Sequence, residues 1–155
     1  MPNYNFDLDL PVATKTEKQV ADFLVENAKF EFLGDNDDNK YDLRMKAPNG
    51  KVITIEVKED FSCQRTGNVG VEFSCRGKPS GIEVSQADLY LYKVHEPSGD
   101  KRLYVIETAK LKQMIKDKLY FRIVNGGDVG SNSMNYLFRL MVIKENFMYL
   151  GKVPQ

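Results

Sequence analysis

Two short runs of alternating apolar and polar residues, separated by a turn, constrain the fold of this chain more than any other feature. The runs are residues 41–45 and 53–58, and Pro48-Asn49-Gly50 lies between them. Alternation with a period of two is typical of β-strands, and a short turn with proline, asparagine and glycine is typical of a hairpin. The pattern therefore predicts an antiparallel hairpin whose register can be counted from the turn.

The register of this hairpin follows if residues 48–50 form a three-residue loop. Ala47 then faces Lys51, and counting back from that pair places Leu43 opposite Ile55. This register collects apolar side chains on one face, whereas a slip by one residue would mix apolar and polar side chains on both faces. The apolar face predicted in this way consists of Tyr41, Leu43, Met45, Ile53, Ile55 and Val57.

The polar face of the predicted hairpin places two acidic side chains next to each other. Asp42 lies opposite Glu56, and Lys58 follows two residues later on the same face. Directly opposite residues of a sheet have Cβ atoms about 5 Å apart, where like charges destabilise the pair. A divalent metal ion would offset that repulsion, since magnesium prefers carboxylate and other oxygen ligands. The alternative is a solvated strand face on which Lys58 screens the two acids.

Length, charge and residue counts restrict the class of protein. The 155 residues fit one domain, expected to span residues 1–155, and 22 basic and 22 acidic residues give a formal net charge of zero. Any nucleic-acid-binding surface must therefore be a local patch. A single histidine, His95, gives little support to serine–histidine catalysis or multi-histidine zinc sites, and Cys63 and Cys75 are expected to be reduced thiols. Without a long apolar run or a signal-type N-terminus, we expect a cytoplasmic protein with no membrane partner.

Local patterns predict helices before and after a group of strands. Thr14 and Glu17 match a capping box that begins a helix, and Thr108 is positioned to cap a second helix. Residues 136–150 fit either a short helix or a strand. The strands predicted outside the hairpin are residues 30–33, 69–75, 88–94, 101–106 and 120–124. This order predicts an α/β (α+β) domain with a mixed β-sheet flanked by helices.

Taken in order, these residues resemble the PD-(D/E)XK nuclease superfamily. Its signature is an acidic residue followed, on the next strand, by Glu/Asp-x-Lys, and these positions hold Asp42 and Glu56-Val57-Lys58. Tyr41 stands where the family name has proline. The resemblance extends over roughly residues 14–140 and is similar to phage and bacterial members related to Holliday-junction resolvases. The further segments that carry it are residues 66–69, 71–72, 77–82, 87–90 and 125–128.

The resemblance implies a restriction-endonuclease-like core and a magnesium- or manganese-dependent nuclease that hydrolyses DNA, most naturally as an endonuclease. Asp42 and Glu56 would bind the metal with the backbone carbonyl of Val57, and Lys58 would assist the attacking water. A homodimer is expected by analogy, because two sites related by a two-fold axis suit the cleavage of two strands.

Two further glutamates are candidate metal ligands with structural alternatives. Glu72 would lie beside the metal if its strand neighbours residues 52–58, and it is otherwise an ordinary exposed glutamate. Glu17 is the less favoured candidate, because a capping box with Thr14 explains the same residue.

Cations and polar groups near the predicted site are candidate contacts to a nucleic-acid backbone, with routine surface charge and turn formation as the alternatives. These residues are Arg65, Asn68, Arg76, Lys78 and Ser80. Tyr90 and Tyr92 share one side of their strand, where they would either stack bases or pack in the core. Two other functions stay open: a nuclease-like fold that binds nucleic acid without cutting it, and an interaction protein with a half-exposed sheet. The sequence does not separate DNA from RNA as the substrate.

Overall fold

The alternating runs of the sequence fold into two β-sheets within residues 15–35, 41–126 and 132–154, which are the residues that the computed structural model describes. The α-helices are α1 (Lys15–Ala28), α2 (Cys63–Thr66), α3 (Thr108–Lys116) and α4 (Leu140–Asn146), with a 3-10 helix at Gly81–Glu83. The strands are β1 (Glu31–Asp35), β2 (Leu43–Lys46), β3 (Val52–Asp60), β4 (Asn68–Cys75), β5 (Lys78–Pro79), β6 (Leu89–His95), β7 (Lys101–Glu107), β8 (Arg122–Gly126), β9 (Ser133–Arg139) and β10 (Met148–Lys152).

The first sheet is mixed and has six strands in the order β1-β2-β3-β6-β7-β10. β3 and β6 run parallel, whereas the other neighbouring strands of this sheet are antiparallel. A parallel pair needs a long crossover connection, and here the chain forms α2, β4, β5 and the 3-10 helix between the two strands. The described residues therefore form an α+β fold in which a mixed sheet is flanked by helices, as the sequence predicted.

The predicted hairpin register is confirmed. Leu43 pairs with Ile55 and Met45 with Ile53, and the Ala47 N–H donates to the Lys51 carbonyl at 2.8 Å across the turn. The apolar face of the hairpin packs against α1, because Val20, Ala21 and Leu24 follow helical spacing toward it. The buried hairpin residues in this cluster are Leu43, Met45, Ile53, Ile55 and Val57.

The second sheet has four antiparallel strands in the order β5-β4-β9-β8. Its apolar face, with Val69, Val71 and Phe138 fully buried, packs in a cluster with Tyr90 and Tyr92 of β6. The condition under which Glu72 would lie beside the metal, that its strand neighbours residues 52–58, is not met. β6 pairs with β3 at that edge of the first sheet, so β4 lies in a different sheet.

Element boundaries after the hairpin differ from the sequence prediction in three places. Residues 59–67, for which the sequence predicted neither helix nor strand, are the end of β3 followed by the short helix α2. The ambiguous residues 136–150 divide among β9, α4 and the start of β10. Thr108 does not cap α3: it is the first helical residue, and its buried hydroxyl has no hydrogen-bond partner among the described residues. The proposed cap at Thr14 lies outside the described residues.

Cys63 and Cys75 form no disulfide bond with each other. Burial raises the pKa of the Cys63 thiol to about 12, so this cysteine stays protonated near neutral pH. Within the described parts of the chain, no helix has the length and apolar character needed to cross a membrane.

Gly81 is the glycine at which close approach to the backbone most restricts the sequence. Its φ is +53°, and a Cβ there would lie 2.1 Å from the Glu72 carbonyl oxygen. We expect Gly81→Ala to lower the free energy of unfolding by more than the roughly 1–3 kcal/mol of left-handed strain alone, because backbone atoms must also move. Chemical denaturation measures this change.

Gly77→Ala is the matched control for Gly81→Ala. Gly77 has a φ of +77°, and nothing lies within 4 Å of the Cβ position. Gly77→Ala therefore introduces the strain of a positive φ without a close contact between the new Cβ and the backbone. Equal losses of stability in the two variants would contradict the packing argument.

Candidate active site

Backbone pairing at the open end of the hairpin positions Asp42. Its N–H donates to the Ile55 carbonyl at 2.9 Å, which keeps Asp42 against β3 although β2 begins one residue later. The Val57 N–H then donates to Asp42 Oδ2 at 2.7 Å. The Asp42 carboxylate thus accepts the hydrogen bond that a backbone carbonyl of a neighbouring strand would accept from β3. This contact fixes the carboxylate beside Glu56.

Glu56 and Lys58 project from β3 on the side that faces the second sheet. Their parallel neighbours on β6 are Tyr90 and Tyr92, which belong to the core cluster between the sheets. Lys58 Nζ lies 3.4 Å from Glu56 Oε2, and the Ser85 hydroxyl donates to Glu56 Oε1 at 3.2 Å. The Glu56 side chain is 15% exposed and the Lys58 side chain 37% exposed, so the ammonium group is the more accessible of the two.

The two carboxylates repel each other. Burial and the neighbouring charge of Glu56 raise the pKa of Asp42 from 3.8 to about 6, against the opposing effects of the Val57 N–H and the Lys58 ammonium. A raised pKa means that the ionised form of Asp42 is destabilised in the folded protein. The like-charge pair that the hairpin register predicts is therefore present, and nearby protein groups offset its cost only in part.

A cavity of about 330 Å³ opens beside this pair. It is lined by Asp42, Glu56, Val57 and Lys58 from the hairpin and by Thr16, Glu17 and Glu59. The first turn of α1 therefore brings Glu17 to the same cavity as the two hairpin carboxylates. Within the described residues, no group of three or more His, Cys, Asp or Glu side chains is arranged to hold a metal ion.

A larger cavity of about 690 Å³ is lined by residues of both sheets, and Lys58 and Glu59 line both cavities. Glu72 lines the larger cavity, and its carboxylate accepts hydrogen bonds from Ser80 at 2.9 Å and Ser133 at 2.5 Å. The structure thus places Glu72 and Ser80 together, in a contact that also explains Ser80 without a phosphate ligand.

The predicted backbone contacts divide into two groups. Arg65 and Asn68 line the larger cavity. Arg76 and Lys78 are exposed at the turn between β4 and β5 and do not line either cavity. The lysines of α3 are exposed, as expected for the solvated face of that helix.

Other polar side chains near the site are part of the folded core. Tyr90 and Tyr92 are 1% and 2% exposed, so they pack in the core and are not available for base stacking. His95 is also buried, and its Nε2 lies 2.6 Å from Glu59 Oε2, while Lys93 Nζ lies 3.6 Å from the same oxygen. This network fixes Glu59 at the boundary of the two cavities.

Phe121, Arg122 and Arg139 line the larger cavity and are not among the candidates of the sequence analysis. They are separated by up to 18 positions along the chain, and strand pairing between β8 and β9 brings them together. No short motif marks them. The one local signal is the aromatic residue directly followed by arginine at 121–122.

The raised pKa of Asp42 predicts a pH dependence of stability. Because its folded-state pKa of about 6 exceeds 3.8, the folded protein holds this proton more tightly than the unfolded chain. The resulting stabilisation is present below pH 3.8 and is lost as the pH rises through about 6. We therefore expect the free energy of unfolding of wild type, relative to Asp42→Asn, to decrease across this range.

Denaturant titrations of the two proteins at matched pH values provide this measurement. Taking the difference between them removes the contribution of other carboxylates that titrate in the same range. A difference that increases with pH would mean that Asp42 is stabilised as the anion, contrary to the repulsion described above.

The chain was compared with known protein families, with curated proteins and with solved structures, and none of the three comparisons found a match.

Proposed function

We propose that this protein is a metal-dependent nuclease that hydrolyses phosphodiester bonds in DNA, with Asp42, Glu56 and Lys58 at the reaction centre. The observation that carries the proposal is the pair of adjacent carboxylates, in which burial and mutual repulsion raise the pKa of Asp42 to about 6. Perturbed acids in a cavity are typical of functional sites. A divalent cation would offset the repulsion and use the same oxygens as ligands.

The fold supports this proposal through the position of the pair. The structure has a helix, an antiparallel β1-β2-β3 unit and a strand parallel to β3, and a restriction-endonuclease-like core would use a mixed sheet of this kind. The signature residues are Asp42, which directly precedes β2, and Glu56 and Lys58 on β3. These positions converge on one cavity, which makes a shared role of the three side chains more plausible than three independent surface charges.

The residues present fit a magnesium or manganese ion bound by two carboxylates and one backbone carbonyl. Asp42 and Glu56 would supply carboxylate oxygens, and the Val57 carbonyl would be a further oxygen ligand, since it lies on the same edge of β3 as the Val57 N–H that contacts Asp42. The structure shows no third acidic ligand grouped with them among the described residues. Magnesium keeps several waters and binds substrate phosphate through one or two carboxylates, so a third acid is not required.

A bound metal would neutralise charge on the phosphoryl oxygens and lower the pKa of an attacking water. The protein groups then divide the remaining tasks. The Val57 N–H and the Ser85 hydroxyl orient one oxygen of Asp42 and one of Glu56. The Lys58 ammonium, which is more accessible than the Glu56 carboxylate, is placed to donate a hydrogen bond to the water or to a phosphoryl oxygen.

The first test is cleavage of labelled single-stranded, duplex, flapped and four-way-junction DNA with magnesium, manganese or EDTA. We expect metal-dependent products that decrease by about a hundredfold or more in Glu56→Gln and Lys58→Ala, because each removes a group that acts on the reacting atoms. Lys46→Ala is the control, since Lys46 is an exposed lysine of the same hairpin that does not line the cavity.

Two results would contradict this proposal. Cleavage that is unchanged in both site variants would place the activity elsewhere. Metal-independent DNA binding without products, from a folded protein, would favour the alternative of a nuclease-like binding module.

The second test measures metal binding without activity. We expect magnesium or manganese to raise the melting temperature of wild type, because a ligand that binds the folded state stabilises it. Asp42→Asn should remove most of that increase, while its melting temperature without metal should stay equal or rise at neutral pH. Calcium is a useful third ion, since it binds oxygen ligands without matching the geometry of magnesium. A full metal effect in Asp42→Asn would exclude Asp42 as a ligand.

A further inference from the structure

The larger cavity adjoins the candidate active site. Lys58 and Glu59 line it as well as the smaller cavity that holds Asp42 and Glu56. One wall comes from β3 and β6 of the first sheet, and the other comes from β4, β9 and β8 of the second. A chain that enters the larger cavity therefore reaches Lys58.

The wall from the second sheet is one face of three adjacent strands, because the lining residues are every second position of each strand. Leu137 pairs with Gly70 on one side and with Arg122 on the other. A Cβ at Gly70 would lie 3.3 Å from Asn135 Oδ1, so a glycine at this position leaves space for the Asn135 side chain. We call these residues the second-sheet face: Asn68, Gly70, Glu72, Arg122, Val124, Gly126, Asn135, Leu137 and Arg139.

The acidic and the basic side chains of this cavity differ in their contacts with other protein groups. Asp60 accepts hydrogen bonds from the Cys63 and Gly70 N–H groups, Glu72 from two serines, and Glu59 contacts Thr16, His95 and Lys93. The cavity arginines form no ion pair with a described carboxylate: they are Arg65, Arg122 and Arg139. The positive charge is thus free to bind an anion, whereas the negative charge is already held by protein groups.

An exposed aromatic ring lies close to two of these arginines. Phe121 is 38% exposed, and its N–H donates to the Leu137 carbonyl at 2.9 Å, which fixes it beside β9. The Arg139 guanidinium carbon lies 4.3 Å from the centre of the Phe121 ring, and that of Arg122 lies 6.0 Å away. A ring flanked by cations is the combination that single-strand-binding proteins use to stack a base and hold its phosphates.

We propose that the second-sheet face, with Arg65 and Phe121, binds a single-stranded segment of nucleic acid and directs it past Lys58 to the carboxylates. The inference rests on the proposed function in taking a nucleic acid as the ligand. A cavity of about 690 Å³ is in the size range of small-molecule pockets and does not admit a duplex. Since the formal net charge is zero, this local groove supplies the attraction that the whole protein lacks.

The test is fluorescence anisotropy in EDTA with a labelled mixed-sequence oligodeoxynucleotide, its blunt duplex and the oligoribonucleotide of the same sequence. We expect wild type to bind a single strand more tightly than the duplex. Phe121→Ala and Arg139→Ala should each weaken single-strand binding by about tenfold. Arg139→Ala should also reduce the slope of log affinity against log salt concentration by about one.

Tyr149→Ala is the matched control for the aromatic substitution. Tyr149 is a half-exposed aromatic ring with the Arg102 guanidinium carbon 5.7 Å from its centre, and it lies on β10 outside the cavity. Lys112→Ala, at an exposed lysine of α3, is the control for lost positive charge. Both control variants should bind as wild type does, and circular dichroism verifies that all four variants are folded.

The outcomes separate this inference from the proposed nuclease. Binding that is lost in Phe121→Ala and Arg139→Ala supports the inference even if no variant or wild type cleaves DNA, and tighter binding of the ribonucleotide assigns the strand to RNA. Metal-dependent cleavage that needs Lys58, with single-strand affinity unchanged in both variants, overturns the inference and leaves the nuclease standing. Tighter binding of the duplex than of either single strand also overturns it.

Discussion

The junction between the two sheets depends on side chains of the first sheet that satisfy the backbone of Gly70 in β4. Asp60 accepts a hydrogen bond from the Gly70 N–H at 2.9 Å, and the Tyr92 hydroxyl donates to the Gly70 carbonyl at 3.1 Å. These groups lie on the edge of β4 that β5 does not reach, where unpaired buried backbone atoms would be costly. The same contacts set the two walls of the larger cavity at a fixed separation, and Lys58 lies at its boundary with the smaller cavity.

At the junction of the sheets the polar groups satisfy each other, whereas the candidate site retains repulsion between two carboxylates. A structure selected for stability alone would lack this repulsion. Burial and the charge of Glu56 both raise the pKa of Asp42, and the Val57 N–H offsets this only in part. By contrast, the buried carboxylate of Glu96 has donors on two sides, since it contacts Tyr104 and Arg102. The contrast between these two environments supports a ligand role for Asp42, since unfavourable electrostatics concentrate where chemistry or binding requires them.

How far the sequence predicts the structure depends on the sequence separation of the contacts involved. The hairpin register is set by a three-residue turn and a period of two, so counting from residues 48–50 gives the pairing of Leu43 with Ile55. The location of Glu72 required knowing the neighbour of β3, and the sequence offers no local signal for a parallel partner that begins more than 25 residues later. No local pattern links Phe121 with Arg139 either, because only the pairing of β8 and β9 makes them neighbours.

The sequence by itself determined the hairpin, the adjacency of Asp42 and Glu56, and the mixed α+β character of the fold, because alternation, turn length and helical periodicity act over a few residues. Only the tertiary structure decided that β6 occupies the open edge of β3, that β4 belongs to a second sheet, and that arginines from separate strands share one cavity. Those features depend on long-range pairing and on the burial of both faces of the first sheet. Many sequences with the same local pattern would meet these conditions in a different arrangement.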